Sequence, residues 1–270
     1  DGVDAVWLQH EYGIFGGEAG DMVLELVDRV AAPLIVTLHT VLAEPSARQR
    51  EVIEHLLRRA SRVMVMSQHS MGLLQTLYRV PAERIAVIAH GAPDRPLRNT
   101  ADRKARLGLE GRRVMMTFGL LGPGKGLETV IEALPAIVEH HPDVVYRIVG
   151  ATHPNLVATD GESYREGLAA LAESLGVGAN VQWDNRFLDL DELLDQIEAC
   201  DIYLTPYPNM QQSTSGTLSY AVALGKAVVS TPYVHARELL ADGVGVLVEP
   251  RQADVIAAAV NRLLDDPDEL

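Results

Sequence analysis

The feature that most constrains the fold of this chain is a regular alternation of short β-branched runs with longer amphipathic stretches. The longer stretches carry apolar residues three and four positions apart, the spacing of a helix buried on one face, and the short runs are typical of buried strands. Such alternation predicts an α/β fold, with parallel sheets covered by helices on both faces. The predicted strands lie at 5–9, 34–38, 62–66, 85–88, 114–118, 144–149, 181–183, 201–205, 227–230 and 245–248. The predicted helices lie at 20–30, 47–60, 70–78, 126–140, 164–175, 190–199, 216–224, 236–241 and 254–264.

The composition changes between residues 91 and 111. This stretch holds Pro93, Pro96 and a cluster of charged side chains, but almost no β-branched residues. We therefore interpret 93–111 as a linker between a first domain at 1–92 and a second at 112–270. Ligands of open parallel sheets bind outside the carboxyl ends of the strands, so the loops that follow strands are the places to search for function.

The overall charge excludes some classes of partner. The 270 residues carry 37 acidic against 23 basic side chains, for a formal net charge of −14. Such a surface repels phosphate backbones and argues against nucleic acid as a partner. The single cysteine, Cys200, fits a reducing compartment. Without a long apolar run or a basic start followed by an apolar core, the sequence predicts a cytoplasmic protein with no transmembrane segment.

A glycine-rich loop at 118–126, Phe-Gly-Leu-Leu-Gly-Pro-Gly-Lys-Gly, follows a predicted strand and precedes a predicted helix. Glycines let backbone amides approach a ligand, the helix start offers N–H groups, and Lys125 adds a positive charge, a combination that suits phosphate. A plain Gly-Pro turn with a solvated lysine is the alternative. The spacing also approaches a P-loop, but Gly126 stands where that motif needs a hydroxyl for magnesium, so an NTPase is disfavoured.

A second loop, at 206–220, is rich in hydroxyl groups where it opens a predicted helix. Ser213, Thr214, Ser215 and Thr217 lie in one short turn around Gly216. Hydroxyls and amides at a helix start suit a pyrophosphate or the hydroxyls of a sugar, although an ordinary helix cap is the simpler interpretation.

Three segments together resemble glycosyltransferase family 4. They are the loop from Phe118 to Gly126, the run from Ser215 to Ser230 (Ser-Gly-Thr-Leu-Ser-Tyr-Ala-Val-Ala-Leu-Gly-Lys-Ala-Val-Val-Ser), and Glu238-Leu-Leu-x-Asp-Gly-x-Gly245. The segments at 9–17 and 36–40 are similar to a mannosyltransferase-like branch. The resemblance covers most of the chain and implies a retaining enzyme of the GT-B architecture, which has two Rossmann-like domains. It also implies that the first domain is incomplete and that the chain is truncated at both ends.

The resemblance assigns expected roles. It implies that Lys125 binds the donor phosphates, that the backbone at 215–218 holds the diphosphate, and that His39 lies near the acceptor and the transferred sugar, so that His39 and Lys125 are the expected catalytic residues. Arg186 and Phe187 follow a strand at the position of the nucleotide base. The expected donor is GDP-mannose or a UDP-sugar, the acceptor is a carbohydrate or a lipid-linked molecule, and neither a cofactor nor a metal is expected. The residues expected at the donor site are Gly122, Gly124, Lys125, Arg186, Phe187, Gln212, Ser213, Thr214, Ser215, Gly216, Thr217, Leu218 and Tyr220.

The chain departs from the family pattern at three positions. The family has two glutamates eight residues apart, and the corresponding positions here are Gln212 and Tyr220. The family often has an arginine after the first glycine of the loop, and the corresponding residue here is Leu120. The second glutamate commonly holds the donor ribose, so the ribose contact must be made differently here. A non-catalytic nucleotide-sugar-binding protein is therefore the main alternative to an enzyme, and a P-loop-like NTPase is the third.

Overall fold

The computed structural model describes residues 2–266 and residue 268. The chain divides into two compact units. The first unit consists of the residues up to Gly91 together with the segment Gln211–Ser215. The second unit consists of Ala92–Met210 and the chain from Gly216 onward.

The first unit contains a four-stranded sheet whose strands follow one another in the order β1-β2-β3-β4, and all of their pairings are parallel. Its core joins the inner face of the sheet to the apolar faces of the helices, with Val36, Ile53 and Val63 fully buried. The strands are β1 (Val6–His10), β2 (Leu34–Leu38), β3 (Arg62–Val65) and β4 (Ile85–Val87). The helices are α1 (Val23–Arg29), α2 (Ala47–Arg59) and α3 (Gln68–Tyr78).

Local sequence signals fix the helix ends of the first unit. Ser46 accepts a hydrogen bond from the backbone N–H of Gln49, whose side chain in turn accepts one from the Ser46 N–H, so a capping box starts α2. Ser67 caps α3 in a similar way, and Arg79, in the left-handed conformation, ends it.

The second unit contains a six-stranded parallel sheet in the order β10-β9-β8-β5-β6-β7. Chain order reverses at β5, which has β6 on one side and β8 on the other. The strands are β5 (Arg113–Phe118), β6 (Val144–Val149), β7 (Val181–Asp184), β8 (Ile202–Thr205), β9 (Ala227–Ser230) and β10 (Val246–Leu247). The helices are α4 (Thr100–Arg106), α5 (Leu127–His140), α6 (Pro154–Asp160), α7 (Ser163–Ser174), α8 (Leu190–Glu198), α9 (Gly216–Ala223), α10 (Val234–Leu239) and α11 (Ala253–Asp265).

Both faces of the second sheet are covered, which gives this unit two cores. Successive strand residues point to opposite faces, so Met115 enters the core beneath α5, α7 and α11 while Met116 enters the core beneath α8, α9 and α10. The predicted α/β fold with parallel sheets is therefore confirmed. The reversal of strand order between β5 and β8 creates a switch point, and ligands of open α/β sheets bind at such points, outside the carboxyl ends of the strands.

Two helices are absent from the sequence-based prediction. The helix α4 lies inside the stretch 93–111 that was interpreted as a linker, and α6 lies in the loop after β6. Charged residues fill α4, but Arg103 is buried there because its guanidinium pairs with the Glu198 carboxylate of α8 at 2.8 Å. The predicted domains, residues 1–92 and 112–270 with a linker at 93–111, stay a prediction.

Candidate functional site

The conformation of the loop after β5 depends on a glycine, Gly126. Residues Pro123–Lys125 form one turn of 3-10 helix, and Gly126 then takes the left-handed conformation, with φ of +63°, at the start of α5. A Cβ at this position would lie 2.2 Å from the backbone oxygen of Pro206 in the loop after β8, so only glycine fits. No side chain caps the start of α5, which leaves the positive end of the helix uncovered by a capping group. The two loops of the switch point are thus packed backbone against backbone.

Among the three lysines of the chain, Lys125 alone has neither a carboxylate nor a backbone carbonyl as a partner in the part that the structure describes. Lys104 pairs with Asp201 at 2.6 Å, and the ammonium of Lys226 donates to backbone carbonyls and to Thr100. Lys125 is in none of the ion pairs among the described residues, and its Nζ donates a hydrogen bond of 3.1 Å to the Oη of Tyr207. A partly buried ammonium without a carboxylate partner is suited to an anionic ligand.

Tyr207 belongs to a tripeptide that occurs twice in the chain. Thr-Pro-Tyr occurs at 205–207, where β8 ends, and again at 231–233, directly after β9. Because β8 and β9 are neighbours in the sheet, the two copies meet, and the rings of Tyr207 and Tyr233 stack with centroids 5.1 Å apart and planes 20° apart. The hydroxyl of Thr231 also donates to the carbonyl of Tyr207 at 2.6 Å. The repetition of one tripeptide after two successive strands was the signal available in the sequence.

The hydroxyl-rich turn is divided between the two units. Within the first unit, the hydroxyls of Ser213 and Thr214 donate to the backbone oxygen of His39, at 3.5 and 3.3 Å, and the Gln212 amide donates to the Thr214 carbonyl. The second unit resumes at Gly216, where α9 begins, and the Thr217 hydroxyl lies 2.9 Å from the Oη of Tyr207.

The remaining residues expected at the donor site occupy different surroundings. Ser215 and Leu218 are buried, Gly122 is half-buried, and Gly124 is exposed with open space around it. Tyr220 is half-buried and packs its ring near that of Phe118, with centroids 6.2 Å apart.

The loop after β7 presents an aromatic ring to solvent. The guanidinium of Arg186 is held by the carboxylates of Asp184 and Glu192, each at 2.7 Å, so its charge is already compensated. The hydrogen bond from Arg186 lowers the pKa of Asp184 below its usual range. Phe187 beside it is 87% exposed. An exposed aromatic ring at the carboxyl edge of a sheet can stack on a planar base.

In the first unit, polar side chains gather at the carboxyl ends of β1 and β2. The imidazole Nε2 of His39 lies 3.0 Å from the Oε1 of Gln9, and the Thr40 hydroxyl donates to Glu11 at 2.6 Å. Burial lowers the pKa of His39, with Glu11 opposing the shift, so the neutral imidazole is favoured there. A neutral imidazole donates one hydrogen bond from the nitrogen that carries the proton and accepts one at the other nitrogen.

His10, the last residue of β1, is wholly buried. Its ring stacks on Phe15 and meets the edge of Tyr12, and neither ring nitrogen has a partner among the described residues. Burial lowers the pKa of His10 to about 4, against the opposing effect of Glu11. The imidazole is thus neutral near pH 7.

No group of three or more His, Cys, Asp or Glu side chains suited to a metal ion occurs within residues 2–266. In the same described residues, no helix is long and apolar enough to cross a membrane.

Comparison with solved structures shows which class of protein has this fold. Anabaena Alr3699/HepE in complex with UDP superposes with a TM-score of 0.73 at 23% identity, over 93% of this chain and 67% of that one. Its similarity places the fold among the GT-B glycosyltransferases, as the motifs predicted. The family described as glycosyl transferases group 1 matches residues 99–270, more than half of the chain. The chain belongs to this family.

Curated relatives that the chain resembles are also glycosyltransferases. The D-inositol 3-phosphate glycosyltransferase of Corynebacterium diphtheriae is 28% identical over 95% of this chain and 62% of its own length. The phosphatidyl-myo-inositol mannosyltransferase of Mycolicibacterium smegmatis is 33% identical over 58% of this chain and 37% of its own length. The chain spans less than two thirds of the length of the D-inositol 3-phosphate glycosyltransferases that it matches.

Proposed function

We propose that this chain transfers a hexose from a nucleoside diphosphate sugar to an acceptor hydroxyl, with retention at the anomeric carbon. The observation that carries the proposal is Lys125, a lysine with no carboxylate partner among the described residues, beside the uncapped start of α5 and at the switch point of the second sheet. In an open parallel sheet this is the position where ligands bind. Family membership and the UDP bound by Anabaena Alr3699/HepE support a nucleotide-sugar donor.

The second unit would bind the donor. The departure of a nucleoside diphosphate leaves negative charge on its phosphate oxygens, and the ammonium of Lys125 and the dipole at the start of α5 would stabilise that charge. The backbone at 215–218, where α9 begins, would contact the same diphosphate. Phe187 would stack on the base, with Arg186 holding the loop through Asp184 and Glu192.

The first unit would bind the acceptor. His39 would contact the transferred sugar or the acceptor hydroxyl, since its neutral ring can donate or accept a hydrogen bond. In domain terms, residues 1–92 would form the acceptor side, 93–111 a linker and 112–270 the donor domain. The acceptor would be a carbohydrate or a lipid-linked molecule, and the mannosyltransferase among the relatives makes mannose the first sugar to test.

Replacement of Lys125 tests the proposal. With GDP-mannose and UDP-glucose as donors, Lys125→Ala is expected to lower the release of nucleoside diphosphate by at least about 100-fold, the usual effect of removing one group that stabilises the charge of the transition state. Arg106→Ala removes the same charge from an exposed position on α4 and is the matched control. Equal activity of Lys125→Ala and Arg106→Ala would contradict the role of Lys125.

The alternative of a non-catalytic binding protein makes a different prediction. Gln212 and Tyr220 stand at the two positions where the family pattern has glutamates. A binding protein would be stabilised by the same sugar nucleotides in a thermal-shift titration and would release no product. Thermal stabilisation that depends on Lys125, without turnover in the presence of a range of acceptors, would favour that alternative.

A further inference from the structure

The hydroxyl of Tyr207 joins two groups of the proposed donor site. It lies 3.1 Å from the Lys125 ammonium on one side and 2.9 Å from the Thr217 hydroxyl on the other. The Lys125 Nζ also lies 4.6 Å from the centroid of the Tyr207 ring, within the range of a cation–π contact. Tyr207 itself is only 2% exposed, so it is part of the support beneath the site rather than of its open surface.

The direction of the hydrogen bond between Lys125 and Tyr207 follows from its chemistry. An ammonium has protons to give and no lone pair, so the Tyr207 Oη must accept from Lys125. The proton of the Tyr207 hydroxyl is then available for the Thr217 Oγ1. One phenol therefore orients both the cation of the loop after β5 and a hydroxyl at the start of α9, and the ammonium keeps further N–H bonds for a ligand.

Tyr207 is itself fixed by the second copy of its tripeptide. The ring of Tyr233 stacks on it, and Thr231 donates to its carbonyl oxygen at 2.6 Å and to that of Thr205 at 3.4 Å. A lysine side chain loses rotamer entropy when it is immobilised. Holding the ammonium before the ligand arrives moves that loss from binding to folding.

We propose that Tyr207 is the positioning residue for Lys125, and that the paired Thr-Pro-Tyr segments form the rigid base of the phosphate site. This inference rests on the proposed function. Where the family pattern often has an arginine the chain has Leu120, so Lys125 is the one cationic side chain that the proposed function places at the phosphates. The phenol fixes that placement.

A double-mutant cycle on the full chain tests the inference. The four proteins are the wild type, Tyr207→Phe, Lys125→Ala and the double variant, and the measurement is the Kd for UDP and for GDP by calorimetry. Tyr207→Phe keeps the stacked ring and removes only the hydroxyl. It is expected to weaken nucleotide binding about tenfold when Lys125 is present, the factor that matches the loss of about 1.4 kcal/mol in hydrogen bonding. In the Lys125→Ala background the same change should weaken binding less than twofold, since a residue that acts through Lys125 loses its effect with it.

Tyr146→Phe is the matched control. Its hydroxyl also bonds to a buried threonine hydroxyl, that of Thr117, at 2.9 Å, and it lies in the interior beneath α5. This variant should lose stability to a similar degree as Tyr207→Phe and bind nucleotide as the wild type does. If Tyr207→Phe does not fold, Thr217→Val removes the other partner of the same hydroxyl and replaces it in the cycle, with a smaller loss expected.

The outcomes separate the two proposals. A tenfold loss that disappears without Lys125 supports the positioning role. Equal losses in both backgrounds, or no loss at all, overturn it while the proposed function stands. A wild-type chain that binds neither UDP nor GDP contradicts the proposed function and the inference with it.

Discussion

The buried His10 makes the stability of the first unit depend on pH in a predictable direction. Its imidazole has no exposed surface and no hydrogen-bond partner among the described residues, so protonation in the folded state would place an uncompensated charge in the interior. Burial lowers the pKa of His10 from 6.5 to about 4. The unfolded chain therefore binds more protons than the folded chain between these two values, and acid favours unfolding.

The size of the effect follows from proton linkage. Above pH 6.5 the histidine is neutral in both states and its contribution to stability is fully present. That contribution is lost as the pH falls from about 6.5 toward about 4. With these two pKa values, the free energy of unfolding at pH 5 should be lower than at pH 7.5 by about 2 kcal/mol from His10 alone. His39, whose pKa burial also lowers, adds to the loss in the same direction.

The two tryptophans of the chain allow the first unit to be followed separately. Trp7 lies on β1 and Trp183 on β7, so a Trp183→Phe background leaves Trp7 as the reporter of the first unit. Urea unfolding would be followed by the fluorescence of Trp7 at pH 7.5 and pH 5, with and without His10→Leu. The His10→Leu variant should lose about 2 kcal/mol less than its parent between the two pH values.

A change that only loosens the core should not alter the pH dependence. Ile53→Val, at a fully buried position of α2, is expected to lower stability by about 1 kcal/mol at both pH values. If His10→Leu shows the same loss between pH 7.5 and pH 5 as its parent, the reasoning about His10 is refuted. The ring would then be solvated or paired in solution.

Two further predictions concern the second unit, and urea unfolding with a nucleotide titration checks both. Gly126→Ala should destabilise it by about 2 kcal/mol or more and weaken UDP binding, because φ is +63° and the added Cβ lies 2.2 Å from a backbone oxygen; Gly124→Ala, with open space around it, should have the stability of the wild type. Glu198→Ala should cost about 3–5 kcal/mol, since it leaves the buried Arg103 guanidinium without its closest carboxylate, whereas Asp191→Ala, at a side chain 91% exposed, should cost about 0–1 kcal/mol. Equal stabilities within either pair would contradict the corresponding argument.

The strands and most helices could be predicted from the sequence because burial leaves a periodic record. Val144–Val149 and Ala227–Ser230 are short, valine-rich runs that are largely buried on both faces, and the prediction matches their bounds. The helix α4 could not be found in this way. Its one deeply buried side chain is Arg103, whose burial depends on Glu198, almost a hundred residues further along the chain. A single-sequence pattern does not contain that pairing.

The candidate site shows the same limit. Glycine spacing and a lysine predicted the loop after β5, because the backbone freedom of glycine and the charge of lysine do not depend on the rest of the fold. The support that Tyr207 gives to Lys125 depends on β8 being the neighbour of both β9 and β5 in the sheet. The local sequence pattern does not determine this strand order. The repeated Thr-Pro-Tyr was visible, but only the sheet order gives it a meaning.

The hydroxyl groups around Gly216 are weaker support for a phosphate site in the structure than they are in the sequence. In the sequence, the hydroxyls around Gly216 count together as more than a helix cap needs. In the structure, Ser213 and Thr214 donate to the carbonyl of His39, and Thr217 lies beside Tyr207. Because these side chains already have protein partners, their number alone is weak support for a phosphate site. The stronger support is Lys125, a cation with no carboxylate partner among the described residues, held by a buried phenol at the point where the strand order reverses.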